Sequence, residues 1–275
     1  MTSSSPYQQS PVVMNLLIIN VLLYAAGKVL GSQMKIDFDE IFGLHYIFSE
    51  QFRVWQFITF AFMHGSITHL ICNMFAVYMF GKIIEQTWGA RKFLTYYLIT
   101  AIGSGLIQQV AFYIDINTMV ATVDSYLTNP TTEALQALIK KYPAFSNESA
   151  QILDSFIRDY NNLINVNVEE AVAHSRTFVE NYQTLYFNAH NVIGASGAVF
   201  GILLAFGMLF PNMRVWLILP PIPLKAKYLV IGYGVIELFE GIANSSTDNV
   251  AHWAHLGGML FGFLLIKFWH EKRLY

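Results

Sequence analysis

Gly194-Ala195-Ser196-Gly197-Ala198-Val199-Phe200-Gly201 places a serine at the start of an apolar, glycine-rich helix. About sixty residues on comes Ala251-His252-Trp253-Ala254-His255-Leu256-Gly257-Gly258. A hydroxyl and an imidazole are poor lipid-facing groups. In a membrane they face a protein interior, and function is the default reading. Serine plus histidine is the minimum equipment for nucleophilic acyl transfer. The pair points to a membrane-embedded serine hydrolase.

The glycines around these two residues have a spacing of their own. Ala195, Gly197, Ala198, Gly201 and Ala205 keep the serine helix slim. Small residues let helix backbones approach closely in membranes. His255 is followed by Gly258 and Gly262, at i+3 and i+7 on one helical face. Gly258 to Gly262 is a GxxxG seam. Contact between the two slim faces would bring Ser196 and His255 together. Taken alone, Gly-x-Ser-Gly also reads as a plain packing seam.

Composition supports the membrane reading. Of 275 residues 55% are hydrophobic and 12% charged, where a soluble domain carries about 25% charge. Mean hydropathy is +0.43. The net charge of −2 gives no sign of nucleic-acid binding. A single cysteine, Cys72, excludes an intramolecular disulfide and a cysteine-based metal site; it reads as a packing residue. The N-terminus, Met1 to Gln9, has no basic region, so a cleaved signal peptide is not expected.

Six spans are predicted, at about Pro11 to Leu30, Ile67 to Gln86, Phe93 to Ile114, Ala195 to Phe210, Lys227 to Ile242 and Val250 to Trp269. If they alternate, nine of the sixteen Lys and Arg fall on one side, next to short loops and the C-terminus. The positive-inside bias then makes both termini cytoplasmic. Three regions follow. Residues 1–114 hold the first three spans and an external loop, 31–66. Residues 115–190 form an extracytoplasmic insertion beside the site. Residues 191–275 hold the last three spans. The insertion carries nine acidic residues against four basic ones. Pro130-Thr131-Thr132-Glu133 reads as a helix start. Ala134 to Tyr142, Ser149 to Tyr160 and Val168 to Tyr186 have helical apolar spacing. The expected fold is an all-α membrane bundle of six helices with an inserted soluble helical segment.

A third cluster, His64-Gly65-Ser66-Ile67-Thr68-His69-Leu70-Ile71-Cys72-Asn73, opens the second span. His69 and Asn73 are i and i+4, on one face, and both donate hydrogen bonds. Acyl transfer needs donors aimed at the oxyanion. A polar pair that only joins helices is the alternative. His64 lies nearer the surface and suits a cap or loop tie.

Together these motifs resemble the rhomboid family of intramembrane serine proteases: His64, His69 and Asn73, then Gly194-Ala195-Ser196-Gly197, then Ala254-His255-Leu256-Gly257-Gly258 with Gly262. Their order on the second, fourth and sixth spans matches, as do Glu85 and Trp88-Gly89 after the second span. The resemblance covers about Val54 to Ile114 and His190 to Trp269, not most of the acidic insertion. It implies a bacterial-type, six-helix rhomboid protease of the inner membrane, cutting single-span membrane proteins near the extracytoplasmic side. Ser196 would be the nucleophile and His255 the base of a dyad. The Ser196 N–H, His69 and Asn73 would hold the oxyanion. His64, Gly194, Gly197, Phe200, Gly258 and Gly262 would support the site. Phe200 stands where the family often has a tyrosine on the catalytic imidazole. Gln56 follows Trp55 where the family commonly has arginine.

His252, three residues before His255, competes for the role of base. No acid completes a triad: Asp248 lies in a loop, and Glu237 and Glu240 fall near the interface end of the fifth span. No metal or organic cofactor is implied; His64, His69 and His252 are poorly placed as joint ligands. The expected partners are transmembrane substrates and the lipid bilayer. A non-proteolytic rhomboid relative that binds membrane clients is the alternative function. A transporter would show internal repeats and intramembrane charge, which are not seen.

Overall fold

A computed structural model describes residues 10–216, 222–243, 250–271 and 274. The chain divides into two compact units. The first comprises residues 1–44, 53–109 and 192–275; the second comprises 45–52 and 110–191.

The first unit starts with α1 (Pro11–Met34), a 24-residue helix with proline in its first turn. Its free N-terminal amides are met from far along the chain. Glu85 accepts hydrogen bonds from the Val12 and Val13 N–H groups at 3.0 and 2.8 Å. A carboxylate here satisfies orphan donors and the helix dipole together. The loop that follows contains α2 (Phe38–Phe42) and α3 (Gln56–Thr59). Gln56 is buried, accepts from the Arg53 N–H and donates to the Ile41 carbonyl. The amide thus fastens the loop from within.

Next, α4 (Ile67–Ala76), a π-helical stretch (Val77–Gly81) and α5 (Lys82–Trp88) form one continuous 22-residue apolar helix. Ser66 caps it, accepting from the His69 N–H at 3.1 Å. Cys72 is exposed, on the same face as Ile71 and Phe75, and so does not pack in the interior. Its neighbours make that face apolar and outward, as a lipid-facing surface requires.

α6 (Ala90–Thr128) is 39 residues long. The helix does not stop where the third span is expected to end, near Ile114, but runs on through Asp115. The residues after 114 keep an apolar face, with Ile116, Met119, Val123 and Tyr126 buried, so nothing there stops the helix.

α10 (Ser196–Leu209) sits at the centre of the first unit, with most of its residues buried. A helix that is apolar all round belongs in an interior. α11 (Ala226–Ala243) and α12 (His252–Phe268) pack on it and on each other. Both present large apolar residues outward, among them Ile231, Val235 and Phe239 on α11 and Leu260, Phe263 and Leu264 on α12. By length and composition, α1, the Ile67–Trp88 helix and α6 could each cross a membrane; α10, at 14 residues, is apolar but shorter. Asp248 lies outside the described residues.

The second unit has a core of its own. The end of α6 packs with α7 (Thr132–Lys141), α8 (Asn147–Ile164) and α9 (Val168–Ala189). Phe156 and Phe178 stack at 3.7 Å between ring centroids, and Leu135, Leu138, Leu153 and Tyr182 close around them. Each helix starts on a side-chain cap: Thr131 for α7, Ser146 with Ser149 as a capping box for α8, and Asn167 for α9. A half-buried Asp115 holds the Tyr186 hydroxyl at 2.5 Å and the His190 ring at 3.0 Å. Burial and the neighbouring Asp115 charge push the Tyr186 phenol well above its ordinary range.

Candidate active site

α10 begins at Ser196, and the approach to it depends on Gly194. Gly194 has φ +132°, a conformation that disfavours side chains. A Cβ at this position would lie 2.9 Å from His69 Nε2 and 3.5 Å from Ser196 Oγ. Glycine therefore leaves room for the His69 imidazole beside the serine hydroxyl. The Gly194 N–H is tied to the Phe60 carbonyl at 2.8 Å.

α12 brings the imidazole. A Cβ on Gly258 would sit 1.8 Å from the Gly197 carbonyl oxygen, so the two helices meet backbone on backbone. One turn further, a Cβ on Gly262 would collide with the Tyr96 hydroxyl, which donates to the Gly201 carbonyl at 2.7 Å. A Cβ on Gly197 would strike Ser104. At the end of this seam Ser196 Oγ lies 2.8 Å from His255 Nε2. Phe200 lies flat on the His255 ring, at 4.2 Å between centroids and 7° between planes.

α4 supplies the other polar groups. Asn73 is buried, and its Nδ2 donor has no hydrogen-bond partner. An unmade donor in an interior is costly and asks for a purpose. His64 is buried, and Ser66, not His64, caps α4. The His64 ring meets His69 edge to face at 5.0 Å. Burial, with His69 beside it, pushes the His64 imidazole down to about 4, so it is neutral at pH 7.

The sequence reading missed Glu237. It sits on the inner side of α11, 7% exposed, while Glu240 three residues on is exposed. Its Oε2 lies 2.8 Å from His255 Nδ1 and 2.7 Å from His252 Nδ1. An acid is therefore present at the imidazole, contrary to the expectation of none. His252 faces this carboxylate, whereas Ser196 is the partner of His255 Nε2. The available signal was an acid inside an otherwise apolar helix. Glu237, His252 and His255 are also a set able to hold a metal ion, their ligand atoms lying within 4.8 Å of one another. The contacts to Glu237 are of hydrogen-bond length.

A family model described as the Rhomboid domain matches residues 51–119 and 172–272. The chain belongs to the rhomboid family. The match reaches further into the second unit than the expected resemblance, leaving 120–171 unmatched. An uncharacterized mitochondrial rhomboid protein of Schizosaccharomyces pombe is 27% identical over 233 residues, 81% of this chain and 53% of that protein. The rhomboid protease GlpG of Haemophilus influenzae is 30% identical over 103 residues, 37% of this chain and 51% of that protein. GlpG of Salmonella choleraesuis is 29% identical over 104 residues, 36% of this chain and 35% of that protein. The chain thus spans about half the length of the first two relatives and about a third of the last. Rhomboids are integral membrane proteins, and the apolar helices described above fit that class.

Proposed function

We propose that this rhomboid is an intramembrane serine endopeptidase acting on single-span membrane proteins near the extracytoplasmic side. The observation that carries the reading is the 2.8 Å contact between Ser196 Oγ and His255 Nε2, made where two apolar helices touch through glycine. His255 Nε2 takes the hydroxyl proton as Ser196 Oγ attacks the scissile carbonyl. The Ser196 N–H, His69 and Asn73 receive the oxyanion. Collapse expels the amine, protonated by His255, and leaves an acyl-enzyme. Water, deprotonated by the same nitrogen, then releases the acid.

The membrane arrangement belongs to the same proposal. Six spans put both termini on one side, and the basic residues beside the short loops favour the cytoplasm; of the relatives named, the GlpG proteases are from bacteria and favour a bacterial inner membrane, whereas the Schizosaccharomyces pombe relative is mitochondrial. The segment 115–190 is then extracytoplasmic.

The test uses the full chain in detergent with a model single-span substrate and a fluorophosphonate probe. The wild type cleaves and is labelled at Ser196; Ser196→Ala and His255→Ala do neither while expressing normally. Labelling elsewhere, or near wild-type turnover in Ser196→Ala, would sink the serine mechanism. A chain that binds the substrate without cutting it would be a client-binding rhomboid.

A further inference from the structure

We propose that Glu237 is a positioning residue for catalysis, the third member of a Ser196–His255–Glu237 relay. The inference rests on the serine-protease reading and adds to it a group from a different helix. An ionised carboxylate can only accept hydrogen bonds. Glu237 Oε2 lies within hydrogen-bond reach of both His255 Nδ1 and His252 Nδ1, so both nitrogens carry their protons toward it. A neutral imidazole has one N–H. With that proton on Nδ1, the His255 Nε2 lone pair faces the Ser196 hydroxyl at 2.8 Å. The carboxylate therefore selects the tautomer that can act as base. It also lies where the imidazolium formed during attack needs a counter-charge.

The packing fixes this geometry. His252 and His255 are i and i+3 on one face of α12, and Glu237 and Gly241 are i and i+4 on one face of α11. A Cβ on Gly241 would come within 3.3 Å of His252 Cβ and of Trp253, so glycine there lets the start of α12 close on α11. The His255 ring is then held at both nitrogens, by Ser196 and Glu237, and across its face by Phe200. A buried carboxylate within an apolar helix is costly unless paired. The second donor, His252, supplies that pairing without competing for Ser196. A plain tie between α11 and α12 would need neither the Nδ1 contact to His255 nor its alignment with Ser196.

The test measures kcat, KM and the rate of fluorophosphonate labelling on full-length protein in detergent. Glu237→Gln keeps the shape but removes the charge, so its amide oxygen is a weaker acceptor for the two rings and offers the imidazolium no counter-charge. It is expected to lower kcat by about 10² to 10⁴, the upper figure being that seen when a triad carboxylate becomes an amide in soluble proteases. KM should stay within threefold, and Glu237→Asp should recover at least tenfold over Glu237→Gln. Should the amide variant unfold, nitrogen NMR of ¹⁵N-histidine-labelled wild type reads the tautomer directly; a neutral His255 protonated on Nε2 overturns the proposal. So does Glu237→Gln within threefold of wild type while Ser196→Ala is dead, a result that leaves the serine mechanism standing. Bound zinc in the purified protein, with activity that changes on chelation, overturns it in favour of a metal site. A wild type that neither labels nor cleaves defeats the serine reading itself.

Discussion

The α10–α12 seam and the α8–α9 pair are both helix contacts, built by opposite means. In the seam, side chains are removed: Gly258 meets the Gly197 carbonyl and Gly262 meets Tyr96 and Gly201. In the other pair, side chains are added: Phe156 stacks on Phe178, and leucines and tyrosines fill the space around them. The α8 and α9 helices carry polar caps and acidic first turns, as helices facing water do. α10 has no side-chain cap and is apolar throughout. The seam gains closeness, which a reacting pair needs. The aromatic core gains buried area, which a small helical unit needs to hold together.

The largest effect should come from putting a side chain into the seam. Gly258→Leu sets a Cβ against a backbone carbonyl that has no flexible end to move. Fluorophosphonate labelling of Ser196 should vanish; labelling above a tenth of the wild-type rate would mean the helices close by some other contact. Next is Asn73→Ala, which removes the unpaired donor beside the seam. It should lower kcat by about 10² to 10³ with KM little changed. A rise in KM alone would make Asn73 a substrate-binding residue.

Phe178→Ala attacks the other kind of contact. Large-to-small changes of buried phenylalanine cost about 3–5 kcal/mol. Limited proteolysis should cut within residues 147–189 much faster, while Ser196 labelling stays within threefold. Equal loss of labelling would show that the two kinds of packing are not separable. The smallest effect is expected from Ser146→Ala, which removes the capping box of α8. It should cost about 1 kcal/mol, read as faster amide exchange in the first turn of that helix. No change there would mean the aromatic core alone sets the helix start.

The same contrast explains what the sequence revealed. Glycines at Gly258 and Gly262 recur at helical spacing, so the seam could be read along one chain segment. The helix start at Pro130-Thr131-Thr132-Glu133 and the apolar periodicity gave α7, α8 and α9 to within a few residues. Three features were hidden. α6 continues past Ile114 because an amphipathic half follows an apolar half without a helix breaker, and composition changes where the backbone does not. Cys72 faces outward because an apolar residue in a membrane helix has two apolar destinations. Glu237 meets His255 only through the approach of α11 to α12, and no spacing within one segment encodes a contact between two.

The carboxylate at the head of α1 bears on how the chain is made. Val12 and Val13 leave the ribosome more than seventy residues before Glu85, the group that takes up their amides. During that interval the first turn of α1 has only water or lipid headgroups to satisfy it, which holds that end at the membrane surface. Its final seat exists once the Ile67–Trp88 helix has been delivered. Of these two helices, the one made earlier is therefore not the one finished earlier, and the later one acts as the template on which it docks.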